Sequence, residues 1–127
     1  MLLVPTYLAP SPIHGIGLFA AEPFARGTLL WVFQPGLDLL YDQAFIDSLP
    51  ELARAQILRH CYRDPDSGLY VLCGDDARFW NHAAEPNTEN VELPDNEQGG
   101  TAATRDIQRG EELTCDYRTF DDMEREI

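Results

Sequence analysis

Three stretches of this chain hold the side chains whose types and spacing could do chemistry. In Gly110-Glu111-Glu112-Leu113-Thr114-Cys115-Asp116-Tyr117 a phenol follows three carboxylates and a thiol. A tyrosine hydroxyl can donate and accept, so it can orient a polar reactant, although a lone Tyr is more often a core aromatic bonded to backbone. Glu112 and Asp116 are of the types that make an acid–base pair; Glu112 reads more simply as a solvated strand residue. Ala77-Arg78-Phe79-Trp80-Asn81-His82-Ala83-Ala84-Glu85-Pro86-Asn87 sets an amide beside an imidazole, and His82 alone reads as a satisfied structural histidine. His14-Gly15-Ile16-Gly17 alternates glycine with an apolar residue, which permits a bulge or a close approach of backbone to another molecule.

The elements that must position these stretches are short. Leu2–Leu8 reads as a strand ended by the prolines of Ala9-Pro10-Ser11-Pro12, and a second strand follows the glycine loop. Phe24-Ala25-Arg26-Gly27-Thr28-Leu29-Leu30 feeds the apolar run Trp31-Val32-Phe33. Ile107-Gln108-Arg109-Gly110-Glu111-Glu112-Leu113 repeats its pattern, which predicts the same tight turn used twice. Tyr41–Tyr62 has apolar residues at three- and four-residue intervals and Pro50 inside it, predicting two short helices with Pro50 in the first turn of the second. Leu69–Leu72 reads as a strand. Asn90–Leu93 and Thr101–Thr104 read as a hairpin whose polar loop contains Gly99-Gly100. Many short strands with one helical insertion describe a β-rich α+β domain.

Composition excludes several classes. The chain has 127 residues, with 22 acidic against 9 basic side chains and a net charge of −13, so one domain with a single core is expected and no cationic face is available for direct nucleic-acid binding. No run approaches the 18 apolar residues of a membrane span, and no positive segment precedes Met1-Leu2-Leu3-Val4. Cys61, Cys73 and Cys115 are odd in number and form no C-x-x-C pair, which argues against a disulfide framework or structural zinc; no metal is expected, and a reducing, cytoplasmic location is. All nine basic residues are Arg. Genome base composition produces such an Arg-for-Lys bias.

In this order, with a helical insertion between the first and second, the three motifs resemble the SET-domain family of protein lysine methyltransferases. The likeness spans roughly positions 12 to 118 and resembles the minimal single-domain bacterial and viral forms. It implies a β-clip-like fold of small curved sheets, with a pseudoknot-like C-terminal crossing that brings Asn81-His82 beside Tyr117. It also implies S-adenosyl-L-methionine on one face, a substrate lysine entering from the other, and a narrow channel between them. By the same resemblance Gly15, Ile16 and Gly17 meet the amino-acid end of the cofactor, Asn81 and His82 hold that end and the adenine, and Phe120 covers the adenine or closes the channel. Tyr117 is the catalytic residue and also meets the cofactor, and Tyr70 joins it as a channel-lining catalytic tyrosine. Asp116 fixes the crossing segment, and Arg78 anchors it by a salt bridge.

The implied chemistry is an in-line displacement. An ammonium has no lone pair, and a lysine with a reference pKa of about 10.4 is protonated at neutral pH; burial favours the neutral amine and alignment supplies much of the rate. Where many relatives have N-H-S-C, this chain has Asn81-His82-Ala83-Ala84, which removes no residue assigned to chemistry. The acidic surplus serves solubility or attracts a basic, lysine-containing protein. The resemblance also implies that family members of this minimal size can pair as homodimers. A non-catalytic peptide-binding module on the same fold is the other reading.

Overall fold

Short apolar runs broken by Gly, Pro and Asp turns cannot make one wide sheet, and the chain divides into several small ones. The structure, a computed structural model, describes residues 1–119 and 121. In chain order the elements are β1 (Thr6–Pro10), β2 (Ile16–Ala20), β3 (Leu29–Val32), β4 (Leu39–Tyr41), α1 (Gln43–Ser48), α2 (Glu51–His60), β5 (Cys61–Arg63), β6 (Tyr70–Leu72), β7 (Asn81–His82), β8 (Thr88–Leu93), β9 (Asn96–Ala103) and β10 (Thr114–Cys115). Two 3₁₀ turns, Asp76–Phe79 and Tyr117–Thr119, complete it. The sheets are β1-β2, β3-β9-β8, β4-β6-β5 and a parallel β7-β10 pair, the β-rich α+β arrangement of small sheets that the sequence predicts.

The repeated Arg-Gly turns are the same device used twice. Thr28 N donates to Ala25 O and Glu111 N to Gln108 O, each at 3.1 Å, across Gly27 at φ 84° and Gly110 at φ 87°. Such a φ is costly for any residue with a Cβ. The apolar heads of the two turns, Phe24 and Ile107, exchange backbone hydrogen bonds of 2.9 and 2.8 Å and are both buried in the main core with Leu18, Leu30, Trp31, Val71, Trp80 and Leu113.

Several boundaries differ from expectation. The first strand begins after Pro5 and runs to Pro10 at a sheet edge, where a missing N–H is tolerated, while Leu3 N donates to Leu30 O alongside β3 at 2.8 Å. The insertion does form two helices, but Tyr41 belongs to β4 and Cys61 and Tyr62 to β5. Asp42 caps α1 through the Phe45 N–H at 2.8 Å. Pro50 is the N-cap of α2 rather than a member of its first turn. The hairpin turns at Pro94-Asp95, because Leu93 pairs with Asn96. Gly99 and Gly100 lie inside β9, where added Cβ atoms would meet Val91 O at 2.5 Å and Trp31 O at 2.8 Å; they let the central strand sit tightly between its neighbours.

Candidate active site

The C-terminal motif reaches the Asn-His motif through the parallel pairing of Thr114 with Asn81 and Cys115 with His82. The loop after β7 closes over the same segment. Asn87 Oδ1 accepts from Thr114 N at 2.9 Å, Asn87 Nδ2 donates to Glu112 O at 2.8 Å, and the Thr88 hydroxyl donates to Thr114 O at 2.6 Å. Asn87 and Thr88 are buried, so these bonds are shielded from water and fix the register of the crossing.

Immediately beyond, Tyr117 is held at three points. Its N–H donates to His82 Nδ1 at 3.1 Å, its ring lies 5.3 Å from the imidazole, and its hydroxyl donates to Trp80 O at 2.5 Å. Accepting at Nδ1 leaves His82 in the tautomer with hydrogen on Nε2, so its role here is positional. Asp116 turns to Arg118, whose guanidinium bonds both carboxylate oxygens at 2.8 and 2.9 Å and, chiefly through those bonds, holds the carboxyl down to about 2.

Asn81 joins the crossing to the glycine loop. Its Nδ2 donates to His14 O at 3.1 Å and to Glu112 Oε2 at 2.9 Å, with Ile16 O at 3.4 Å. Glu112 also accepts from the Ser11 hydroxyl at 2.7 and 2.9 Å. It is therefore a buttress of the loop, not the solvated strand residue its alternation suggests. A Cβ on Gly17 would fall 2.4 Å from Glu112 Oε2, which explains why glycine stands there. Gly15, at φ 47°, and Ile16 are exposed, presenting backbone to the outside.

On the other side of Trp80 and Tyr117 opens a cavity of about 580 Å³, lined by both and by Trp31, Tyr62 and Cys115. Tyr70, the expected channel tyrosine, is not among its lining residues. In the β4-β6-β5 sheet Tyr62 pairs with Val71 and Arg63 with Tyr70, so side-chain alternation sends Tyr62 to the main core and Tyr70 to the opposite face. There Tyr70 packs with Ile46 and Cys61, and its hydroxyl donates to Gln43 Oε1 at 2.8 Å. Tyr62 was hidden because the helical spacing runs through it. Among the described residues Arg78 forms no ion pair to anchor the crossing; its Nε donates to Asp75 O at 3.4 Å. Phe120 lies outside the described residues.

Burial raises the thiols of Cys73, to about 12, and Cys115, and raises the phenol of Tyr62. All three stay protonated at neutral pH, so neither cysteine is an activated nucleophile.

The SET domain family model matches residues 15–118, and the chain belongs to that family. It is 31% identical over 129 residues to the Drosophila melanogaster histone-lysine N-methyltransferase trr, covering 88% of this chain and 5% of that protein. It is 27% identical over 139 residues to human histone-lysine N-methyltransferase 2D, covering 95% of this chain and 2% of that one; the chain thus spans a small fraction of the curated relatives it matches. Among solved structures, a Plasmodium falciparum protein provisionally assigned as a histone methyltransferase superposes with TM-score 0.61 at 15% identity, over 91% of this chain and 95% of that one. A humanized mutant of the Chaetomium thermophilum Polycomb Repressive Complex 2, bound to the inhibitor GSK126, superposes with TM-score 0.66 at 24% identity, over 94% and 16%. These two likenesses establish the fold. No helix among the described residues is long and apolar enough to cross a membrane.

Proposed function

We propose that the protein is an S-adenosyl-L-methionine-dependent protein-lysine N-methyltransferase that modifies a basic protein in the cytoplasm. The observation that carries this reading is the hydroxyl of Tyr117, bonded to Trp80 O at the wall of the cavity. Its single proton is committed to the carbonyl, so toward any other group the oxygen is an acceptor only. An acceptor at that point can take an N–H of an incoming lysine amine and aim its lone pair.

The loop on the other side fits the amino-acid end of the cofactor. That end carries an ammonium, and the loop offers acceptors: the Asn81 side-chain oxygen, to which no described residue donates, beside the Glu112 carboxylate. Bound there, S-adenosyl-L-methionine supplies an electrophilic methyl group. Tyr117 bonds the Trp80 carbonyl and Asn81 follows Trp80 directly, so the two sides share one backbone segment. Trp31, Trp80 and Tyr62 line the cavity, and withdrawal of the amine from water among them favours its neutral, nucleophilic form. The amine's proton leaves to water before the displacement, so no strong base is needed.

The test is transfer of labelled methyl from S-adenosyl-L-methionine to basic proteins, followed by amino-acid analysis. Label recovered as methyl-lysine supports the reading. Cofactor binding without transfer to any lysine would favour the peptide-binding module instead.

A further inference from the structure

We propose that Arg59, His60 and Arg78 form an anion-binding subsite in the cavity wall, which takes a carboxylate or phosphate side chain of the substrate peptide close to its lysine. This rests on the methyltransferase reading. Arg59 and His60 occupy the last turn of α2, and Arg78 the last turn of the Asp76–Phe79 3₁₀ segment. The two turns meet where the His60 ring lies edge-on to Phe79, 5.7 Å between centroids. All three cationic-type residues line the cavity.

In a chain with 22 acidic and 9 basic side chains, a bare arginine has many acids to pair with. Yet among the described residues no carboxylate stands within ion-pair distance of these three. Cations at a helix C-terminus complement its dipole. That accounts for Arg59 and His60 but not for Arg78 converging from a separate element. Burial and then the fields of Arg78 and Arg59 lower the proton affinity of His60, so the imidazole stands there neutral as a hydrogen-bond donor, and the positive charges that repel each other are those of the two arginines. An anion between them relieves that repulsion, and a guanidinium presents a planar fork suited to carboxylate or phosphate. Asp64, Glu92 and Glu97 line other parts of the same wall, so the cavity is bipolar. It would select a lysine flanked by basic residues and by one anion at a fixed position.

The experiment uses the full chain, S-adenosylhomocysteine and a short synthetic peptide of Ala, Gly and Arg around one Lys, with Glu, phosphoserine or Gln placed in turn at each flanking position. Peptide affinity and methyl transfer are read for the native protein, Arg59→Gln and Arg78→Gln, with thermal melting as a folding control. The expected result is one position where Glu or phosphoserine improves affinity about tenfold over Gln, with the gain lost in both variants. The better of the two anions identifies the source. A flat scan on peptides that are methylated overturns the subsite and leaves the methyltransferase reading intact. Variants that lose S-adenosyl-L-methionine affinity while the scan is unchanged assign the cations to the cofactor and also overturn it. Cofactor binding with no transfer to any peptide sinks both.

Discussion

The hydroxyl of Tyr117 donates to the main-chain carbonyl of Trp80 at 2.5 Å, and Trp80 directly precedes Asn81, whose amide holds the glycine loop. One short backbone segment therefore positions the acceptor at the cavity and the polar anchor on the other side. Each consequence can be tested separately.

Gly17→Ala should be more damaging than Gly15→Ala. The added Cβ at Gly17 meets Glu112, a side chain already committed to Ser11 and Asn81, whereas the space around Gly15 is open and only its φ of 47° resists. Thermal melts should show a loss of about 1–3 kcal/mol for the first and about 1 kcal/mol for the second. Equal losses would contradict the buttress assigned to Glu112.

Glu112→Gln keeps the shape of that buttress and removes its charge. Affinity for S-adenosyl-L-methionine, read by calorimetry, should fall about tenfold or more, as expected when hydrogen bonds to a charged group are weakened. Unchanged affinity would confine Glu112 to the fold.

Tyr62 and Tyr70 offer a paired comparison on one sheet. Tyr70→Phe loses its hydrogen bond to Gln43 and should cost about 1 kcal/mol of stability with no change in transfer rate. Tyr62→Phe, in the cavity wall, should alter the rate or KM for peptide. The reverse pattern would restore Tyr70 as the channel residue.

Asp116 should titrate near 2 by carboxyl NMR, against an ordinary value of 3.8, because Arg118 bonds both its oxygens. Since the folded value is depressed, the stabilisation is present above the unfolded value and is lost as pH falls toward 2. Arg118→Gln should return the titration toward 3.8.

What was legible in the sequence was whatever depends on local chemistry. The Arg-Gly repeat announced its paired turns, since only a positive φ explains glycine at Gly27 and Gly110. The family likeness implied a crossing that brings Asn81-His82 beside Tyr117, and the structure makes it through the parallel β7-β10 pairing. The errors arose where two periods overlap. Cys61 and Tyr62 continue the helical spacing of α2 yet lie in β5, which put Tyr62 in the cavity wall unannounced, while Tyr70, placed by its position upstream of the Asn-His motif, faces the other side of that sheet. Glu112 alternates like a solvated strand residue, and nothing local shows that Ser11, about a hundred residues earlier in the chain, and Asn81 converge on it. Gly99-Gly100 reads as a turn because close strand approach and a tight turn both require glycine.

The most direct measurement is single-turnover methyl transfer by Tyr117→Phe, with cofactor affinity determined on the same protein. The phenylalanine keeps the ring against His82 and removes the oxygen, so the rate should fall about a hundredfold or more while S-adenosyl-L-methionine binds within about twofold of the native affinity, a difference of about 0.4 kcal/mol. A variant that transfers methyl at the native rate would contradict the role given to the Tyr117 hydroxyl.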